Sequence, residues 1–138
     1  MSASDCLFCR MAVGEIPVSK VYEDEAVLAF LDIGPVSDGH TLLIPKEHVE
    51  KLGDCPAELL GQVCSRLCKV AKAVSAGMNC EGYNVLCNNG RSAGQLVEHL
   101  HFHIIPRNSG DGVFTQWPAY EYQEGQAEII VAKIREKL

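Results

Sequence analysis

Apolar positions along this chain repeat with two periods, and the periods change in blocks. Residues 19–23 and 26–31 alternate or run apolar over strand lengths, joined by the polar turn Glu23-Asp24-Glu25, which predicts a hairpin. Residues 32–39 hold two Asp, two Gly and a Pro and read as a loop. Thr41-Leu42-Leu43-Ile44 is an apolar strand stopped by Pro45, with His48 in the turn that follows. From Pro56 to Met78 the period becomes helical, with Leu59, Leu60, Val63, Leu67, Val70, Ala71, Val74 and Met78 at three- and four-residue steps. Asp54 is the expected N-cap of this helix and Gly77 its expected stop. Cys64 and Cys68, four apart beside the apolar stripe, read as small buried hydrophobes. Residues 82–87 form a further strand, 88–95 a glycine-containing loop, and 124–138 a closing helix with Ile129, Ile130, Ile134 and Leu138 on one side. This order predicts an α+β class: a mainly antiparallel sheet, one long central helix and a C-terminal helix.

Composition narrows the function. At 138 residues with 47% hydrophobic and 22% charged residues, the chain fits one domain spanning 1–138, with no repeat or linker. A net charge of −6 argues against nucleic acid as the primary ligand, though a local pocket on an acidic protein can still take a phosphorylated small molecule. No apolar run approaches the ~20 residues that span a bilayer. The opening Met1-Ser2-Ala3-Ser4-Asp5 lacks the layout of a secretion signal, so a cytoplasmic protein is expected. Seven cysteines, an odd count, then suit reduced thiols and metal ligands better than a disulfide framework.

The chemistry concentrates in His99-Leu100-His101-Phe102-His103, three of the five histidines at every second position. On a strand all three imidazoles leave one face, while Leu100, Phe102 and Ile104 anchor the other. Residues i and i+4 of a strand lie ~13 Å apart by rise alone, so the three cannot share one ion. Divided labour follows: one histidine on a metal, another free to react. Cys6 and Cys9 form a Cys-x-x-Cys pair that can wrap a soft ion, with His48 and one of the three histidines as available nitrogens. A redox dithiol and two inert cysteines are the competing readings. The loop Asn88-Asn89-Gly90-Arg91-Ser92-Ala93-Gly94-Gln95 runs straight into the histidines and could aim backbone N–H groups at a phosphate. Arg107 could add charge or simply be solvated.

Cys6-x-x-Cys9, the segment from Asp32 to His40 leading into Leu42-Leu43-Ile44-Pro45-Lys46-x-His48, and His99-x-His101-x-His103 together resemble the histidine triad (HIT) superfamily. The likeness runs from Cys6 to the Trp117-Pro118 region and the last helix, and its small nucleotide hydrolases and phosphoramidases are the most similar branch. The resemblance implies that His101 attacks the α-phosphate of a purine nucleotide to give a covalent nucleotidyl-histidine, with His103 bonding the phosphate and assisting the leaving group. It implies a structural zinc on Cys6, Cys9, His48 and His99, and a homodimer. It places Asp32 on the ribose, Asn88, Gly94 and Gln95 at the phosphate, and His40 behind the catalytic strand. Adenosine phosphoramidates and dinucleoside polyphosphates are the substrates it suggests. One departure stands out: hydrolases of the family often carry Ser or Thr three residues before the first histidine, where this chain has Leu96. A non-catalytic nucleotide sensor or interaction module that keeps the pocket, and a hydrolase using the histidines as catalytic metal ligands, are the alternatives.

Overall fold

A computed structural model describes residues 5–138 and places five strands in one antiparallel sheet of order β1-β2-β3-β5-β4. The strands are β1 (Lys20–Glu23), β2 (Val27–Leu31), β3 (Thr41–Pro45), β4 (Gly82–Leu86) and β5 (Phe102–Arg107). The helices are α1 (Leu7–Ala12), α2 (Ala57–Met78) and α3 (Gln126–Arg135). The α+β class expected from the apolar pattern is what forms. Residues 1–4, part of the opening segment considered above, lie outside the described residues.

β2 and β3 are buried on both faces, which explains why both read as continuous apolar runs. Alternate residues separate into two cores. Val27, Ala29, Leu43, Phe102 and Ile104 face α2, meeting Val63, Val70, Ala71 and Val74. Leu28, Phe30, Leu42 and Ile44 face the other way, against Cys6 and Phe8. Full burial of each such Leu, Ile or Phe contributes about 1.5–3 kcal/mol. Asp24, in the hairpin turn, accepts from the backbone N–H groups of Ala26 (2.8 Å) and Val27 (3.0 Å), from Tyr22 Oη (2.8 Å) and from Arg66 Nε of α2 (2.8 Å). One carboxylate therefore shapes the turn and ties the sheet to the helix.

Three local expectations need correction. α2 starts after Pro56, while Asp54 sits in a separate 3-10 turn, Leu52–Asp54. The helix ends not at Gly77 but at Asn79, which takes a left-handed conformation (φ 49°) that Asn tolerates. Cys64 and Cys68 are exposed: the stripe through Val63, Val70 and Val74 points into the core and leaves them on the outer flank. α3 forms with its apolar stripe as expected, yet buries no residue, and Ile129 and Ile134 face solvent. Among the described residues no helix is long and apolar enough to cross a membrane.

Candidate active site

The strand geometry expected for the histidines holds only in part. β5 begins at Phe102, and His99, Leu100 and His101 precede it in irregular backbone, with the Leu100 N–H bonded to Val49 O (2.6 Å). The common face survives this. Phe8 stacks edge-on against His99 and His101 at ring-centroid distances of 5.9 and 5.1 Å, and the His101 and His103 rings lie 5.1 Å apart. Leu100, Phe102 and Ile104 go to the opposite core, against α2.

At one end His99 meets Cys6, Cys9 and His48. Cys6 caps α1, its sulfur accepting from the Cys9 N–H at 3.4 Å, so the first turn of that helix brings both sulfurs to one side. The four donor atoms lie within 4.8 Å of one another. Individual separations are 3.3 Å (Cys6 Sγ to His99 Nδ1), 3.4 Å (Cys9 Sγ to His48 Nδ1), 3.5 Å (Cys9 Sγ to His99 Nδ1) and 3.2 Å (His48 Nδ1 to His99 Nδ1). A tetrahedral zinc bonded at about 2.3 Å to sulfur and 2.0–2.1 Å to nitrogen has N–N and N–S edges of roughly 3.3–3.6 Å, so the donor set fits such an ion. His99 Nε2–H donates to Pro45 O at 2.8 Å, which leaves the Nδ1 lone pair for a cation. Burial, with Cys6 alongside, pushes the Cys9 thiol up to about 11 when no cation compensates.

At the other end the nitrogens are assigned differently. His101 Nδ1 lies 2.6 Å from His99 O; the carbonyl can only accept, so the proton sits on Nδ1 and the Nε2 lone pair is free. The Val36 N–H donates to His40 Nδ1 (3.2 Å), which places the His40 proton on Nε2. That proton is donated to His103 Nδ1 at 2.8 Å, and His103 must then carry its own proton on Nε2, an atom buried without a protein partner. Asp32 Oδ2 stands 3.7 Å from His40 Nε2. Asp32, His40 and His103 lie close enough to hold an ion, but the Val36 N–H already occupies His40 Nδ1, so this group reads as a proton-sharing chain. Burial lowers the His101 and His40 pKa values and pulls His103 down to about 4, so all three rings are neutral near pH 7. His40 itself is seated by Gly39, whose φ of +87° suits glycine and whose added Cβ would meet Met78 Cγ at 2.5 Å.

Both His101 and His103 line a cavity of about 620 Å³, walled by Phe8, Phe30, Leu42, Asp32 and the loop residues Gly94 and Leu96, among others. Among the described residues no lysine or arginine lines it. Gly94, at φ +93°, lets the loop pass against Asn88, whose Nδ2 would lie 3.2 Å from an added Cβ. Gln95 is buried, donating to Glu50 O (2.7 Å) and accepting from the Gly90 N–H (2.8 Å). Its amide braces the loop from behind instead of facing the cavity.

A family model described as the HIT domain matches residues 13–110. The chain belongs to the HIT family. It is 42% identical to an adenosine 5'-monophosphoramidase of Schizosaccharomyces pombe, over 96% of this chain and 98% of that protein. A crystal structure of a HIT-family protein from Bacillus subtilis superposes with a TM-score of 0.90 at 43% identity, covering 97% of each chain. A zinc-bound histidine triad protein from Mycobacterium smegmatis superposes at 0.75, with 31% identity over 99% of this chain and 100% of that one.

Within this HIT chain the fold gathers Asp32, the paired cysteines and all five histidines into one region, but not into one cluster. Cys6, Cys9, His48 and His99 form the first group and Asp32, His40 and His103 the second, with His101 between them. Arg107 is elsewhere, bonded to Asp111 and Asn84. Phe8 escaped the sequence reading although it touches two of the three histidines. Its signal was its place inside Cys6-x-x-Cys9, where a ring must follow wherever the sulfurs go.

Proposed function

We propose that this HIT protein hydrolyses a purine nucleoside 5'-phosphate derivative at the α-phosphorus, through a covalent nucleotidyl-His101. The carrying observation is the 2.6 Å bond from His101 Nδ1–H to His99 O, which frees a neutral Nε2 lone pair on a ring that lines a cavity with largely apolar walls. In the first step Nε2 attacks phosphorus, the bond from phosphorus to the leaving group breaks, and the His103 Nε2–H proton goes to the departing atom. In the second step water attacks phosphorus, the phosphorus–Nε2 bond breaks, the nucleoside monophosphate leaves, and a water proton restores His103. Asp32 takes the ribose hydroxyls, and the N–H groups around Gly94, with Asn88, take phosphate oxygens.

Two features favour an amine over a polyphosphate as leaving group. The cavity lining offers no lysine or arginine to a polyanion, and a relative 42% identical is named an adenosine 5'-monophosphoramidase. A phosphoramidate presents an uncharged leaving group, to which one proton from His103 is sufficient. Zinc on Cys6, Cys9, His48 and His99 is structural in this reading; when bound it ties the N-terminal turn and the segment after β3 to the backbone just ahead of β5. Metal analysis then finds about one zinc per chain. The superfamily resemblance adds a homodimer, which sedimentation checks.

Trapping decides the mechanism. Protein mixed with an adenosine 5'-phosphoramidate and quenched in base, where phosphorylated imidazole survives, is expected to carry one adenylyl group on the peptide containing His101. Turnover with no adduct on that peptide at any quench time overturns the covalent route, and tight binding without turnover supports the sensor.

A further inference from the structure

The cavity lining combines buried aromatic side chains with exposed apolar ones. His101 sits near the floor, 5% exposed, against Phe8. Two large apolar side chains of the lining stand in open solvent at the rim: Ile33, 100% exposed, and Leu96, 79% exposed. Ile33 follows Asp32, on the wall where a ribose would be held. Leu96 stands on the loop wall, between the braced Gln95 and the half-buried Val97, which also lines the cavity. The two walls therefore serve different parts of a substrate.

In-line displacement places the leaving group opposite the nucleophile. With His101 at the floor, that direction points to the mouth, and with the nucleoside along Asp32 and Ile33, the leaving group passes the wall carrying Leu96. That wall has no cation and, at this position, no hydroxyl. Leu96, with most of its surface in solvent, is too exposed to stabilise the fold appreciably, which leaves a large apolar side chain of the lining available to a bound molecule.

We infer that Leu96 is a specificity-determining residue that selects uncharged, apolar leaving groups, alkyl or aryl amines bonded to phosphorus, over small polar ones. The inference rests on the phosphoramidase reading above. An alkyl chain laid along Leu96 and Val97 leaves water on one side only. Full burial of a methylene is worth roughly fourfold in an equilibrium constant, and a half-open wall gives about twofold. The contact exists before and during reaction, so the gain falls in KM while kcat changes little.

The test compares adenosine 5'-phosphoramidates bearing unsubstituted, N-propyl and N-hexyl nitrogen, on wild type and Leu96→Ser. The two alkyl amines have nearly equal basicity, so their ratio reads contact, not leaving-group chemistry. Wild type is expected to favour hexyl over propyl by about eightfold in kcat/KM, carried by KM. In Leu96→Ser the ratio should fall to within twofold, and the unsubstituted amide should gain. An exposed substitution leaves the melting temperature nearly unchanged, which confirms an intact fold. A wild-type ratio within twofold, or a ratio that persists in Leu96→Ser, overturns the role of Leu96. If no amide is hydrolysed, the hydrolase reading fails by itself. The same series is then read as dissociation constants, where a ratio that Leu96→Ser collapses upholds the Leu96 contact and an unaltered one overturns it.

Discussion

His99 and His103 sit four residues apart on one segment, share a face, and are both held neutral by burial, each pulled down to about 4. Their surroundings nevertheless give them opposite chemistry. At His99 a backbone carbonyl, Pro45 O, takes Nε2–H and frees Nδ1 toward two sulfurs and another imidazole. At His103 the chain from the Val36 N–H through His40 fills Nδ1 and leaves Nε2–H without a protein partner. One ring offers a lone pair that could take a cation, and the other offers an N–H. Burial sets the charge state, but the hydrogen-bond partner on the far nitrogen sets the role.

The sharpest way to break this contrast is to remove one function without the other. His101→Ala, in the middle, is expected to lower kcat by a factor of about 10⁴ or more, as loss of a covalent nucleophile does, with metal content unchanged and the melting temperature lowered only by the truncation of a buried ring. His99→Ala should do the reverse, losing the metal first and activity only as the fold loosens. Steady-state rates, metal analysis and a melting curve on both variants read this out. Metal loss in His101→Ala would mean the two ends are not separable.

Removing the ion itself has the next largest effect. For a site a thousandfold saturated, binding contributes about 4 kcal/mol of stability. Chelation should therefore cost about 15 °C in melting temperature for a chain of this length. Activity measured well below that transition should persist, since neither His101 nor His103 belongs to the tetrad. Prompt loss of activity from protein that is still folded would favour the catalytic-metal alternative.

The contrast also separates what the sequence made legible from what it did not. The helical stripe of α2 was readable because it buries a regular face, and the β1–β2 hairpin because a polar turn leads into a continuous apolar run, and the α+β class followed. That Cys6, Cys9 and His48 could meet one of the three histidines around an ion was legible from the unusual Cys-x-x-Cys and alternate-histidine spacings, and the superfamily resemblance singled out His99 as that histidine. The cavity was not readable. Phe8, Phe30, Leu42 and Val97 come from four separate segments, and an apolar residue lining a pocket has the same pattern as one filling a core. Nor did periodicity tell that Cys64 and Cys68 would stay outside or that α3 would bury no residue fully, because the period reports a stripe and not what covers it. Gln95 was placed at the phosphate by resemblance, while its bonds to Glu50 and Gly90 became visible only once the loop had a path.

A smaller effect tests the His40 link. His40→Ala removes the donor to His103 Nδ1 and lets His103 adopt either tautomer, so kcat should fall by about 10²-fold, the lower range for positioned acid–base catalysis. KM should hold, because His40 sits behind His103 and does not line the cavity. Metal content should also hold. His40→Gln, which can offer an amide N–H in the same direction, is expected to recover part of the rate, whereas a purely space-filling role would give no such preference over His40→Leu.

The smallest expected effect is a near absence of one. Burial lowers both His40 and His103, and the neighbouring His101 and His40 rings lower His103 further, to about 4, so His103 stays neutral well below pH 6.5 and His40 is held below its ordinary value. The reaction needs them neutral: a protonated His103 would lose its acceptor at Nδ1, and the donor chain from His40 would break. The profile of kcat/KM, which reports the free protein, should therefore be flat from pH 8 to about 6.5 and fall only in acid. Stability follows the same sign. Between the ordinary value near 6.5 and about 4, the unfolded chain binds protons that the folded chain refuses, so unfolding becomes easier as pH falls through that window. Above 6.5 neither state binds them and the contribution is fully present. An acid limb with an apparent pKa of 7 or higher would show a ring carrying charge in the resting protein, and with it the assignment of protons along Val36, His40 and His103 would be wrong.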